Sequence, residues 1–205
     1  INAFSKGIDI HAATASKVFS TDVAEVSREQ RSQAKAVNFG IIYGQSAFGL
    51  SQTLGIPRKE AKAIIDSYFE QYPTIKKYME NVVAQSRDKG YVETLLKRRR
   101  YLPDINSSNA IVRGYAERNA INAPIQGSAA DIIKLAMINV QKAIESKGLK
   151  SKMILQVHDE LVFDVLKEEQ VELESLVKEN MESALDLSVP LDIEYKVADN
   201  WLEAH

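Results

Sequence analysis

The sequence predicts an α+β chain, a helical part followed by a small antiparallel sheet, and three observations carry that prediction. Apolar residues in the first half recur at helical spacing, Pro57, Pro73 and Gly90 punctuate that half into separate helices, and the last third turns to β-rich runs. Ser27 with Gln30 three residues later is a capping box, which predicts a helix from there to about Tyr43, ended by Gly44. Two amphipathic helices follow at 58–71 and 74–88, the first carrying Ile64, Ile65, Tyr68 and Phe69, and Gly90 stops the second. GYVETLLKRRRYLP alternates around a basic turn and reads as a short two-stranded excursion. A long helix is expected over 111–147 with an interruption near Pro124 and Gly127. MILQVHDELVFDV, at 153–165, reads as an antiparallel hairpin turning at His158, Asp159 and Glu160. A helix at 168–185 and a further strand at 189–197 complete a small sheet with helices on one face.

Composition narrows the function classes. With 205 residues, 45% of them hydrophobic, the chain is long enough to bury a core as one domain or two subdomains. It contains no cysteine, which excludes disulfides and thiolate metal sites, and its three histidines, His11, His158 and His205, leave little for a histidine cage. A metal would therefore need oxygen ligands. No apolar run approaches the length of a membrane span and the start lacks an export signal, so the expected location is cytoplasmic, with no membrane partner. The absence of a G-x4-G-K-[ST] stretch sets a P-loop hydrolase aside. The chain opens on Ile1 and runs directly into helical sequence, the look of a cut inside a longer protein. A net charge of −2 is a poor match to a polyanion binder, but it conceals an asymmetry. Residues 159–205 hold fourteen acidic residues against three lysines, a balance of −11, which leaves +9 on residues 1–158. That partition permits a polyanion to bind the first part; a solvated acidic helix accounts for the tail equally well.

Four constellations are candidates for chemistry. RSQAKAVNFGIIYG carries Arg31, Lys35, Phe39 and Tyr43 at a strict interval of four. On a helix each such step rises about 6 Å and overshoots a turn by roughly 40°, so the four side chains form one slowly spiralling ridge, cationic at one end and aromatic at the other. A nucleoside triphosphate, with an anionic tail and a flat base, matches such a ridge, and the helix macrodipole favours the phosphates at the cationic end. An ordinary amphipathic helix with solvated cations and Phe39 in a core has the same spacing. Ala36, Gly40 and Gly44 form an adjoining row of small residues that lets a bulky partner approach the backbone. Arg118, Asn122 and Gln126 are likewise spaced by four in a segment rich in Ala and Ile, where polar groups require partners. The minor groove of a duplex presents acceptors at similar places in every base pair, which aligned donors would sense without reading sequence; a hydrogen-bond network around Pro124 would satisfy the same residues. The turn at 157–160 offers Asp159 and Glu160 as oxygen ligands for a hard cation such as Mg²⁺, although acidic hairpin turns are ordinary. Lys97, Arg98, Arg99 and Arg100 beside Tyr101 suit phosphate contact or plain solvation.

Taken together and in this order, RSQAKAVNFGIIYG, RNAINAPIQGSAADIIK and LQVHDELVF closely resemble the C-terminal polymerase region of family A DNA polymerases, the bacterial DNA polymerase I type. The similarity extends from GIDIHAATA to ADNWLEAH. The resemblance implies a helical fingers subdomain at 25–110, a junction at 1–24 and an incomplete palm at 111–205 carrying the small sheet. It implies template-directed addition of dNTPs to a primer 3′-hydroxyl with Mg²⁺, and primer-template DNA and dNTP as partners. Arg31 and Lys35 would hold the triphosphate, with Lys35 also suited to protonate departing pyrophosphate, and His11 would add a phosphate contact. Phe39 would pack on the nucleotide sugar and base, and a Phe at that position points to discrimination against dideoxynucleotides. Tyr43 would stack at the template side. Arg118, Asn122, Gln126 and His158 match minor-groove contacts, Asp159 matches one of two metal-binding aspartates, and Glu160 is an accessory. The second aspartate, the thumb and the rest of the palm are expected upstream of Ile1, so this chain is expected to be inactive alone. A non-catalytic DNA-binding module is the alternative.

Overall fold

Caps decide where the helices begin. In the computed structural model, which describes residues 2–204 with side chains from Phe4 onward, helix α1 (Asn2–Ser5) precedes α2 (Ile10–Val18). Asp9 caps α2, its carboxylate accepting from the backbone N–H of His11 and Ala12. The capping box anticipated at Ser27 is present with both of its bonds: the Ser27 hydroxyl accepts from Gln30 N at 3.1 Å, and Gln30 Oε1 accepts from Ser27 N at 2.9 Å. It opens α3 (Arg28–Ile42), capped by Tyr43 and followed by Gly44 at φ 66°. A short helix α4 (Ala47–Leu54), capped by Ser46, follows without having been anticipated individually. Pro57 and Pro73 introduce α5 (Arg58–Gln71) and α6 (Pro73–Lys89), close to the expected spans. The basic excursion is a two-stranded ribbon, β1 (Tyr91–Glu93) against β2 (Arg99–Tyr101), with Val92 opposite Arg100.

Residues 2–128 and 129–204 form two compact units. In the first, Val37, Ile41, Leu50, Ala61, Ile64 and Tyr68 make one core from α3, α4 and α5. A second core joins Val92, Leu102 and Ile105 to Ala116 and Ala120 of α7 (Ala110–Lys147). Here the expected interruption does not occur: α7 is continuous over 38 residues with Pro124 inside it. Proline removes one rung of the helical ladder, the bond that its missing N–H would make to the Ala120 carbonyl, and other groups bond the helix just beyond it. The Ser128 hydroxyl donates to Pro124 O at 2.6 Å and Arg98 Nη2 donates to Gly127 O at 3.0 Å, while Leu95 N donates to Ser128 Oγ at 2.9 Å.

In the second unit Val140 and Ile144 of α7 pack with Leu173 and Leu176 of α8 (Gln170–Glu182), and Met153 and Phe163 close over them from the expected hairpin. That hairpin pairs β3 (Lys152–Val157) with β4 (Glu160–Asp164), Val157 opposite Glu160, with a bulge between Met153 and Leu155. The anticipated helix at 168–185 begins instead as a 3₁₀ turn at Lys167–Glu169 and ends three residues early. The strand expected at 189–197 is absent: the segment is irregular, and a last helix α9 (Trp201–Ala204) follows. Its alternation fits a pleat, but alternation alone does not pair a strand, and Pro190 lacks the N–H such pairing uses. The single sheet expected for this part is therefore a two-stranded ribbon among the described residues.

Candidate functional site

Helix α3 sorts its residues by face. Ala34, Val37, Asn38, Gly40 and Ile41 are buried, whereas Arg31, Lys35, Phe39 and Tyr43 all lie exposed along the opposite ridge. Phe39 is 42% exposed and Tyr43 46%, which decides against a core role for Phe39. Their rings stack with centroids 6.3 Å apart and planes 16° from parallel, and the Lys35 ammonium stands 6.0 Å from the Phe39 ring centre. His11 joins them from α2, its ring 5.8 Å from that of Phe39. Five of the anticipated residues thus share one surface.

Sequence reasoning missed three residues that tie this surface together. Asp9 caps α2 with one carboxylate oxygen and receives Arg31 Nε on the other at 2.5 Å, so a single side chain orients the start of α2 and the cation of α3. The Arg31 hydrogen bond holds the Asp9 carboxyl below the usual carboxylate range. Asn38, buried on α3, lies 3.0 Å by Nδ2 from His11 Nδ1 and accepts from the Thr14 hydroxyl at 3.2 Å. Burial pushes the His11 imidazole below its ordinary value; Asp9 opposes that, while Arg31 and Lys35 reinforce it. The cap at Asp9 had a readable signal, an aspartate just ahead of a helical run. Asn38 had none until its face of α3 was known.

At the far end of the ridge the chain leaves α3 through Gly44. A Cβ there would stand 2.9 Å from Arg118 Cγ, so glycine is required both by its positive φ and by the arginine lying against it. Arg118 is exposed, with its guanidinium 5.8 Å from the Tyr115 ring centre, and Gln126 is exposed as well. Asn122 is half-buried, and its Oδ1 is buried without a hydrogen-bond partner. The contacts that surround Pro124 come from Ser128 and Arg98 instead. The basic cluster is correspondingly divided: Arg98 reaches Gly127 O, Arg99 Nε bonds Glu93 at 3.1 Å and lies 4.5 Å over Tyr91, and Arg100 stays exposed.

In the second unit the hairpin tip presents His158 and Asp159, both exposed. His158 has φ 55°, the only positive value in the two-residue turn, a pattern that hairpins usually assign to glycine. Gln156 Nε2 donates to the His158 carbonyl at 2.7 Å and steadies it there. Glu160 accepts from Trp201 Nε1 at 2.8 Å, so its carboxylate is partly committed. Mg²⁺ is commonly held by one or two carboxylates plus substrate phosphates. The tip fits that partial role, and among the described residues no group of three His, Asp or Glu side chains gathers to hold a cation unaided. No helix among the described residues is long and apolar enough to cross a membrane.

A helical half, small antiparallel ribbons and this order of sites place the chain in a known class: a family model described as DNA polymerase family A matches residues 1–203, and the chain belongs to that family. Among relatives, it is 58% identical over 205 residues to DNA polymerase I of Streptococcus pneumoniae serotype 4, covering 100% of this chain and 23% of that protein. To DNA polymerase I of Bacillus subtilis (strain 168) it is 53% identical over 204 residues, again covering 23% of the relative. The chain thus spans about a quarter of the length of these curated relatives. A solved structure, the POL domain of Pol1 from M. smegmatis in complex with DNA primer-template and dNTP, matches with TM-score 0.90 and 52% identity over 93% of this chain and 34% of that one.

Proposed function

We propose that this chain supplies the fingers, residues 25–110, and part of the palm, residues 111–205, of a cytoplasmic enzyme that extends a DNA primer by template-directed addition of dNTPs. The observation that carries the reading is the exposed ridge of Arg31, Lys35, Phe39 and Tyr43 with His11 beside it. A matched POL domain solved with primer-template and dNTP supports it. Arg31 and Lys35 neutralise the triphosphate, His11 adds a hydrogen bond to it, and Lys35 returns a proton to pyrophosphate as it departs. Phe39 covers the sugar and base of the nucleotide, and Tyr43 stacks at the template side. Arg118, Asn122, Gln126 and His158 contact primer and template, with Arg118 lying against Gly44 at the end of that ridge. Asp159, assisted by Glu160, supplies part of the Mg²⁺ coordination. When bound, the metal neutralises phosphate charge and favours attack by the 3′-hydroxyl. The remaining catalysis by this chain is positioning and electrostatics.

Titration of the purified chain with a dNTP and Mg²⁺ tests the reading. Lys35→Ala is expected to weaken dNTP binding by about tenfold or more, the order of a lost charge-assisted hydrogen bond, while leaving duplex binding in place. Unchanged dNTP affinity with intact DNA binding would return the chain to the non-catalytic module class. Primer extension by the 205-residue chain alone, abolished by Asp159→Ala, would overturn the expectation that it is inactive by itself.

A further inference from the structure

We propose that Asn38 is a positioning residue that fixes the tautomer of His11, so that the ring donates through Nε2–H to a phosphate oxygen of the bound nucleotide. The inference rests on the nucleotide reading above. Asn38 is 8% exposed and sits among the apolar residues of α3, where an amide without partners would be costly. Its oxygen is committed to the hydroxyl of Thr14, itself 3% exposed, at 3.2 Å. The amide nitrogen, which only donates, is thereby turned toward His11 Nδ1 at 3.0 Å. Nδ1 must accept, and in a neutral ring the proton then resides on Nε2. Thr14 and His11 lie one turn apart on α2, which is why one side chain from α3 reaches both.

Charge makes the choice consequential. Desolvation lowers the His11 pKa, Asp9 opposes this, and Arg31 and Lys35 lower it further, so the surroundings favour the neutral ring. A neutral imidazole has one donor. With the opposite tautomer Nε2 would carry a lone pair, which repels a phosphate oxygen; with this one it donates. Aspartate at 38 would reverse the arrangement, accepting from Nδ1–H, and its charge would raise the His11 pKa.

Long-range ¹H–¹⁵N imidazole spectra of the labelled chain at neutral pH, paired with dNTP and DNA titrations, test the proposal. Wild type is expected to show the Nε2–H pattern at His11. Asn38→Asp is expected to change it to Nδ1–H, shift the His11 titration upward and weaken dNTP binding on the order of tenfold, with DNA affinity unchanged. Thr14→Val, close in shape but lacking the hydroxyl that donates to the Asn38 oxygen, is expected to mix the tautomers, and it decides the matter if the aspartate variant does not fold. An Nδ1–H spectrum in wild type, or tautomer reversal with unaltered dNTP affinity, would overturn the proposal. Failure of the wild type to bind any dNTP would instead overturn the nucleotide reading and the phosphate target together, leaving the spectrum to judge the tautomer alone.

Discussion

Arg31 is paired with the Asp9 carboxylate, and the partnership has a pH signature. Because Arg31 holds the folded-state pKa of Asp9 below its unfolded value, the pair stabilises the fold above the unfolded carboxylate range, and the contribution is lost as pH falls through the folded value. Asp9→Asn is therefore expected to cost less than about 1 kcal/mol at neutral pH, since both side chains are largely exposed, and to flatten the acid limb. Urea midpoints of the two proteins, compared at neutral and acidic pH, should converge toward the acidic end. His158 gives a prediction of opposite sign: relieving its positive φ with glycine is expected to stabilise the fold by roughly 1 kcal/mol while weakening primer-template binding. Thermal melts and a duplex titration of the same variant check both halves. The ridge was legible in sequence because an interval of four needs only one helix to align it. Asp9–Arg31 and His11–Asn38 were not, because they span 22 and 27 residues and exist only once α2 packs on α3.

At the scale of elements, caps and prolines were the reliable signals: Ser27, Pro57, Pro73 and Gly90 mark boundaries that the chain honours to within a residue or two. The same local logic misjudged Pro124, whose broken rung is flanked by contacts from Ser128 and from Arg98 at the distant β1–β2 ribbon. It also misjudged 189–197, where alternation was present but no strand pairing forms among the described residues. Gly44 shows how one residue joins elements, ending α3 and seating Arg118 of α7. Gly44→Ala is expected to destabilise by about 1 to 2 kcal/mol through the left-handed backbone alone. It should also displace Arg118, so chemical denaturation and DNA affinity are expected to suffer together, whereas Gly55→Ala, at φ 67° with open space around its Cβ, should affect stability only.

For the whole molecule, the net charge of −2 says little and its distribution says much. Residues 2–128 hold 18 Lys and Arg against 12 Asp and Glu, a balance of +6, while residues 129–204 hold 8 against 16, a balance of −8. Affinity for duplex is therefore expected to fall steeply with salt, by about 0.9 in log–log slope for each phosphate neutralised. Arg100→Ala should lower that slope by about one if its exposed guanidinium meets the backbone; equal slopes in a filter-binding series would place this side chain outside the DNA path. The fold class was readable because a change from helical to alternating periodicity is a bulk property of the chain. The hairpin carrying Asp159 consists of two strands only, so each has one border of amides and carbonyls that no neighbouring strand occupies among the described residues. A ribbon of that width is marginal by itself in water and leans on the Met153 and Phe163 contacts beneath it. The carboxylate proposed to meet the cation thus rides on a thin cantilever, steadied by buttressing from below as well as by the bond across its turn.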